Sequence, residues 1–313
     1  MPSSTAFPLP PAALVRLADG RNLEYASYGD EAGLPLLFFH GFIGSIRQAA
    51  FAHPAACAHG LRLVAVNRPG VGRSTPVGRR TIREHVADVV QLADQLGLER
   101  FGVIGVSGGA PYALACLSDL PHRVRVGSLL SGLGPVADPG LLKEMDPTER
   151  RILLLARWMP WVVQGLLGVQ LRCYENSPEE LLATLMRRWP AADQEVFGDA
   201  WLRTLFLEDV RQVLRNVQAA ALLAAELGLY SRWGFRLEDV PPTARVLMWH
   251  GSHDAVVPPL LARHVAGRLS GAELTLYPGG HFMAVHHTEE IVTRTRDALV
   301  AAAARWPTAT LAV

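Results

Sequence analysis

Charge bias, cysteine and long uninterrupted apolar runs are what this chain lacks. Its 313 residues carry 30 Lys+Arg and 29 Asp+Glu, a formal net charge of +1. That balance gives no electrostatic footing for nucleic acid or an anionic membrane as partner. Cysteine occurs three times, at Cys57, Cys116 and Cys173, with no CxxC spacing. This argues against a disulfide framework and a structural zinc site, and each thiol is expected as a small buried hydrophobe. His250, His253, His286 and His287 match no metal-ligand spacing, so neither metal nor cofactor is expected. Met1-Pro2-Ser3-Ser4-Thr5 has no basic n-region and no apolar stretch behind it, so no signal peptide is expected, and the location expected is cytoplasmic. Residues 152–171 come closest to a membrane span, but Arg157, Pro160 and Gln164 interrupt them, short of the roughly 20 clean apolar residues required. A buried or lid helix pair is the expectation there.

Half of the residues are hydrophobic, and they come in short blocks. Residues 1–12 are Pro/Ala/Ser-rich and expected to be poorly ordered. Residues 14–17 and 23–28 flank Asp19-Gly20, which predicts a β-hairpin. Residues 36–39, 61–66, 101–104 and 124–130 are near-continuous apolar runs, the signature of strands covered on both faces. Residues 48–59 and 82–96 have helical spacing, and Thr81 with Glu84 forms a capping box for the second. Strands alternating with helices predict a parallel sheet. The rhythm stops near Gly134. Up to about Phe235 only helical patterns occur, over 147–158, 178–189, 201–207 and 208–227, with scattered Trp. Strands at 245–249 and 273–277 and helices at 260–269 and 289–305 then restore it. Residues 136–235 thus read as an inserted helical cap, and 1–135 with 236–313 as one α/β core.

The chemistry centres on Gly105-Val106-Ser107-Gly108-Gly109, between the 101–104 strand and an Ala/Leu-rich helix over 110–117. Strand, Gly-x-Ser-x-Gly, helix is the setting of a nucleophile turn. Gly105 and Gly109 leave room for a sharp bend that lifts the Ser107 hydroxyl off the sheet edge. The Gly108 N–H falls in the first helical turn, aimed at developing negative charge. A serine needs a base, and the base needs a carboxylate to steer it. Both are expected on loops at the C-terminal strand ends. His281 follows the 273–277 strand by Pro278-Gly279-Gly280, and Asp254 follows the 245–249 strand by His250-Gly251-Ser252-His253. Asp138, after the 124–130 strand, is the reserve acid. His40 reads as a buried histidine bracing its loop rather than as a base.

With His40-Gly41-Phe42, Arg68-Pro69-Gly70-Val71-Gly72-Arg73-Ser74, the Ser107 turn, His250 to Asp254 and Gly279-Gly280-His281 in that order, the chain resembles the α/β-hydrolase superfamily. Its similarity is to the branch with a helical cap inserted after the sixth strand, and it spans nearly everything outside that cap. The resemblance implies a mostly parallel eight-stranded sheet with helices on both faces. It also implies a Ser107–Asp254–His281 triad and an oxyanion hole from the backbone N–H groups of Phe42 and Gly108. Asn67 departs from the pattern, since the family often has Asp there. The implied activity is hydrolysis of a carboxylic ester. The cap shows no cluster of charge, so a small-to-medium, largely apolar molecule is the expected substrate. Trp158, Trp161 and Trp233, beside Trp189 and Trp201, are the candidate pocket walls. The same triad leaves open amide, lactone, thioester or C–C bond hydrolysis and a haloperoxidase-like side activity. An aminopeptidase similar to proline iminopeptidases would need acidic cap residues for a free amine, with Glu175, Glu179, Glu180 and Glu226 as candidates. Epoxide hydrolases and haloalkane dehalogenases fit less well, because Ser107 stands where they carry Asp. From another class, a slow-turnover ligand receptor on the same fold stays open, as does a homodimer through the cap.

Overall fold

A computed structural model describes residues 9–78, 80–174 and 177–305. Glu175 and most of the N-terminal stretch expected to be poorly ordered lie outside the described residues. The strands are β1 (Ala13–Arg16), β2 (Asn22–Gly29), β3 (Leu34–Phe39), β4 (Leu61–Val66), β5 (Gly102–Val106), β6 (Val126–Leu130), β7 (Arg245–Gly251) and β8 (Ala272–Tyr277). They form one sheet in the order β1-β2-β4-β3-β5-β6-β7-β8. The β1–β2 and β2–β4 pairs are antiparallel and the others parallel, as expected of a mostly parallel eight-stranded sheet. The helices are α1 (His53–Ala58), α2 (Val86–Gln95), α3 (Ala110–Asp119), α4 (Pro139–Leu142), α5 (Pro147–Trp158), α6 (Pro160–Tyr174), α7 (Pro178–Met186), α8 (Ala191–Val196), α9 (Ala200–Leu214), α10 (Ala219–Leu229), α11 (Pro259–Arg268) and α12 (Thr288–Ala303).

The period of two in the strands decides which face each side chain covers. Leu37, Phe39, Val64, Val66 and Val103 pack with Val89 and Leu92 of α2, Leu114 of α3 and Leu261 of α11. Their neighbours Leu36, Phe38, Leu63, Ala65 and Ile104 pack on the opposite face with Ala56 of α1 and Ile291 and Leu299 of α12. Both sets are buried, which is why β3, β4 and β5 read as near-continuous apolar runs, interrupted in β4 by Arg62. Each fully buried Leu or Phe contributes about 1.5–3 kcal/mol from removal of apolar surface. Helices α4 to α10 all lie between β6 and β7, with no strand among the described residues of that segment.

Local chemistry explains where the elements depart from the sequence expectations. The helix over 48–59 splits into a 3₁₀ run (Ile46–Ala52) and α1, because Pro54 has no N–H to continue the ladder. The capping box forms: the Thr81 N–H donates to the Glu84 carboxylate at 2.5 Å and the Glu84 N–H to the Thr81 hydroxyl at 3.4 Å. The 201–207 and 208–227 stretches divide elsewhere, since α9 runs through Leu207 to Leu214 and α10 starts at Ala219, which splits the second stretch. Asn216 breaks it by accepting the Gln218 N–H at 2.9 Å while its own amide donates to the Gly70 carbonyl at 2.8 Å, an Asx turn tied to the core. Of the cysteines only Cys116 is buried. Cys57 and Cys173 are exposed, on the outer faces of α1 and α6. Helices α5 and α6 divide at Pro160, and no helix among the described residues is long and apolar enough to cross a membrane.

At Gly109 the start of the α3 turn lies close against the end of β3. A Cβ there would collide with the Phe39 carbonyl oxygen and lie 2.7 Å from that of His40. Gly109→Ala is therefore expected to lower stability in urea unfolding by about 3 kcal/mol, the upper part of the usual overpacking range. An unchanged midpoint would contradict the packing described.

Candidate active site

β5 runs extended to Val106, and Ser107 is the next residue, with φ of 51°. It opens a one-turn 3₁₀ helix (Ser107–Gly109) that continues into α3. A left-handed conformation at a residue with a side chain costs about 1–3 kcal/mol. Gly105 makes the turn sterically feasible, since a Cβ there would lie 2.7 Å from Ala110 Cα. Ile43 (φ 55°) and Ser131 (φ 46°) are the other non-glycine residues with positive φ among the described residues. Ile43 follows β3 and Ser131 follows β6, so backbone strain gathers at the C-terminal ends of three adjacent strands. The segment after β6 holds both sides of this rim. The Leu133 N–H donates to the Ser107 carbonyl at 3.0 Å, and the Ser131 hydroxyl to the His281 carbonyl at 2.7 Å.

His281 Nδ1 donates to Asp254 Oδ2 at 2.8 Å, with the two side chains 8% and 0% exposed. Asp254 Oδ1 also accepts the N–H groups of Val256 at 2.9 Å and Val257 at 2.8 Å. His250 Nε2 stands 3.2 Å from Oδ2 and donates to the Val257 carbonyl at 2.8 Å. Burial alone would raise the Asp254 pKa. The charge of His281 and the hydrogen bonds from His250 and His281 overcome it and hold the carboxyl well below the usual range. Burial likewise disfavours the His281 cation, but the Asp254 charge and hydrogen bond lift its pKa above 6.5. Asp138 does not compete. It is exposed and caps α4, its Oδ1 accepting the Gly140 N–H at 2.7 Å. Gly251 admits the His281 loop, since a Cβ there would lie 2.6 Å from the Gly279 carbonyl oxygen.

The loop after β3 lies beside Ser107: a Cβ on Gly41 would be 3.4 Å from Ser107 Cβ. Arg68 braces this loop, donating to the carbonyls of His40 at 2.6 Å and Gly41 at 2.7 Å, while Gln48 Oε1 accepts the Gly41 N–H at 2.6 Å. His40 is buried. Its burial and the Arg68 charge lower its pKa well below 6.5, so it stays neutral. Asn67 explains its own departure from the family pattern. Its Oδ1 accepts the Ile46 N–H and its Nδ2 donates to Glu24 Oε2, both at 2.8 Å. An Asp there would face the Glu24 carboxylate with no proton to give.

Three acids from the segment between β6 and β7 land on this rim. Asp193 of α8, fully buried, accepts the N–H groups of His281 at 2.8 Å and Phe282 at 2.9 Å. Asp209 of α9, also buried, accepts the Ser45 N–H at 2.7 Å and the Ser45 hydroxyl. Glu226 of α10 accepts the Tyr112 hydroxyl at 2.9 Å and lies 3.3 Å from Arg68 Nε. Of these only Glu226 is among the four amine-binding candidates from the sequence, which marks out none of them, and it is paired with Arg68. Glu179 pairs with Arg211 at 2.5 Å, and Glu180 is exposed. The signal that marks Asp209 in sequence is an acid on an apolar helical stripe, Leu205, Asp209 and Val213, all three buried. Glu149 of α5 is a further unforeseen group. Burial and the Asp146 charge push it up to about 7, against the pull of Arg188 and His281.

The tryptophans are placed otherwise than expected. Trp158 and Trp161 are 68% and 66% exposed and stand out in solvent, since α5 and α6 bury Ala156 and Val163 against α10 instead. Trp233 is buried and stacked on Phe235, centroids 5.4 Å apart. The aromatics near His281 are Phe282, edge-on to its ring at 5.4 Å, and Trp189, Phe197 and Phe206, which pack around Phe282.

Asp209 makes stability depend on pH in a defined direction. Burial raises its pKa to about 7 despite the hydrogen bonds from Ser45. Between about pH 4 and 7 the folded chain therefore keeps a proton that the unfolded chain has lost. The stability from this group is complete below about pH 4 and lost as pH rises through 7. Asp209→Asn should thus gain in thermal midpoint relative to the parent protein as pH rises from 5 to 8. A constant difference would show that the carboxyl does not titrate there.

The model of the alpha/beta hydrolase fold family matches residues 35–288. The dihydrolipoyllysine-residue acetyltransferase component of the acetoin cleaving system of Pseudomonas putida is 33% identical over 273 residues, 87% of this chain and 65% of that protein. The non-heme chloroperoxidase of Streptomyces lividans is 34% identical over 124 residues, 39% of this chain and 45% of that protein. The chain thus spans less than two thirds of either relative. A solved thermophilic esterase from Thermogutta terrifontis superposes with a TM-score of 0.65 over 93% of this chain and 98% of its own, at 20% identity, a likeness of fold alone. With the sheet order, the strained serine turn and a family match over most of its length, the chain belongs to the α/β-hydrolase fold family.

Proposed function

We propose that the protein is a serine hydrolase that cleaves a carboxylic ester of a small-to-medium, largely apolar molecule through an acyl-enzyme on Ser107. The observation that carries this reading is the Asp254–His281 pair, bonded at 2.8 Å on the same rim as the left-handed Ser107. Asp254 fixes the tautomer with hydrogen on Nδ1, which leaves the Nε2 lone pair as base. His281 takes the Ser107 proton as Oγ attacks the acyl carbon. The N–H groups of Phe42 and Gly108 hold the charge that develops on the carbonyl oxygen. The imidazolium, steadied by Asp254, then protonates the departing alkoxide. Water then attacks the acyl carbon with its proton going to His281, the bond to Ser107 Oγ breaks, and the imidazolium returns that proton to Oγ, so the acid leaves and the Ser107 hydroxyl is restored.

Helices α4 to α10 serve as a cap in this reading, fastened by Asp193 to the His281 loop and by Asp209 to the loop after β3. Trp189, Phe197, Phe206 and Phe282 form an apolar wall beside the base, in place of the three tryptophans expected from sequence. An aminopeptidase is less well supported. A bound ammonium group needs fixed negative charge, but Glu226 is paired with Arg68 and Glu149, held near 7, is partly protonated at neutral pH.

A p-nitrophenyl ester series of increasing acyl length tests this. The intact chain should show sustained turnover, with Ser107→Ala losing about 10⁴–10⁶-fold in kcat. One stoichiometric release without turnover would favour a receptor, and a fully active Ser107→Ala would remove Ser107 as nucleophile. Because His281 must be neutral to accept a proton and its pKa is raised, kcat/KM should fall as pH drops through a value above 6.5. Asp254→Asn should lower that value and cut kcat by about 10⁴-fold. A flat profile from pH 5 to 8 would contradict a histidine base.

A further inference from the structure

Gly108 follows the proposed nucleophile and is one of the two residues whose amides face the developing charge. A side chain at this position would run into one group, the hydroxyl of Tyr230 at the C-terminal end of α10. A Cβ on Gly108 would overlap that oxygen outright. Standard backbone dimensions then put the oxygen within about 4.5 Å of the Gly108 nitrogen. The Tyr230 ring also stands edge-on to Phe42, the second of the two residues, with centroids 6.2 Å apart at 73°. Tyr230 is 3% exposed, and no partner meets hydrogen-bond geometry at its hydroxyl among the described residues, although the Glu226 carboxylate lies near enough to act on it. Leaving a buried hydroxyl unmade costs about 1–3 kcal/mol, so its retention points to an acceptor that arrives with the substrate. Burial and the nearby Glu226 carboxylate push its pKa well above that of an ordinary phenol, which keeps it a donor at every working pH.

We propose that the Tyr230 hydroxyl is a third hydrogen-bond donor to the oxyanion, and that Gly108 is glycine in order to admit it. The inference rests on the acyl-enzyme reading above. As the Ser107 Oγ–carbon bond forms, the carbonyl π pair moves onto oxygen. A point within hydrogen-bond reach of the Gly108 N–H is also within reach of the phenol, which donates to the oxyanion without giving up its proton. When the pair returns and the leaving-group bond breaks, the hydroxyl is free again. Because α10 belongs to the helical insertion, the oxyanion site is complete only when that insertion is seated on the core.

The test is Tyr230→Phe in the full chain, assayed with the p-nitrophenyl ester turned over fastest. The expected result is a fall in kcat of about 10²-fold, the effect of losing one oxyanion donor, with KM changed less than about threefold. The thermal midpoint should be unchanged or higher, since the deleted oxygen makes no well-formed hydrogen bond among the described residues. Gly108→Ala, which displaces the hydroxyl, should lose a similar factor, and the double variant little more than either single one. Wild-type kcat in Tyr230→Phe, a loss confined to KM, or a midpoint lowered by several degrees would each overturn the proposal. Ser107→Ala, run alongside, separates the two levels. If it is inactive while Tyr230→Phe is fully active, only this inference falls. If it is active, or no ester is turned over by the parent protein, the acyl-enzyme reading falls and this falls with it.

Discussion

The negative charge of Asp254 is the constraint around which this rim is built. A carboxylate at 0% side-chain exposure is tolerated only where its hydration is replaced in full. Here the replacement is two backbone N–H groups, from Val256 and Val257, and the His281 imidazole, with the Nε2 of His250 at 3.2 Å also turned toward the carboxylate. Each donor fixes a piece of geometry. The amides hold the turn after β7, His250 ties that turn to the strand it leaves, and His281 is drawn in from β8. Gly251 is part of the same requirement, because a side chain there would push the β8 loop away. Sheet order supplies the rest: β7 and β8 are parallel neighbours, so both loops leave the same edge.

The helical insertion is joined to this edge by acid side chains as well as by apolar contact. Asp193, Asp209 and Glu226 come from three different helices and end on three different core loops. Two of the three accept backbone N–H groups that would otherwise be left unpaired where the insertion covers the rim. Such contacts favour one seating of the insertion over others more than they add stability, since burying a carboxylate carries its own cost. The aromatic cluster about Phe282 supplies apolar contact at the same place, next to His281.

What the sequence revealed follows from how local each signal is. The Ser107 turn, the capping box at Thr81 and Glu84, and the apolar strands depend on neighbours within a few residues, and the structure realises them. Asp254 was legible because chain order and strand ends place it, and it reaches His281 where Asp138 caps a helix instead. The tryptophans show the limit. Composition indicates that Trp158 and Trp161 sit on helices, but not which helical face meets the core. Asp193 and Tyr230 were invisible for a related reason. Their partners, His281 and Gly108, lie far along the chain, and no periodicity links an acid in α8 to an amide after β8. The break at Asn216 likewise depends on a contact with Gly70 that only the folded chain makes.

Proton NMR of the intact protein, following the Nδ1 hydrogen of His281, tests the central claim most directly. A hydrogen shared between this imidazole and a buried carboxylate should resonate far downfield. That signal is expected to vanish in Asp254→Asn and to survive unchanged in Asp138→Asn. A downfield signal indifferent to Asp254, or none at all, would contradict it.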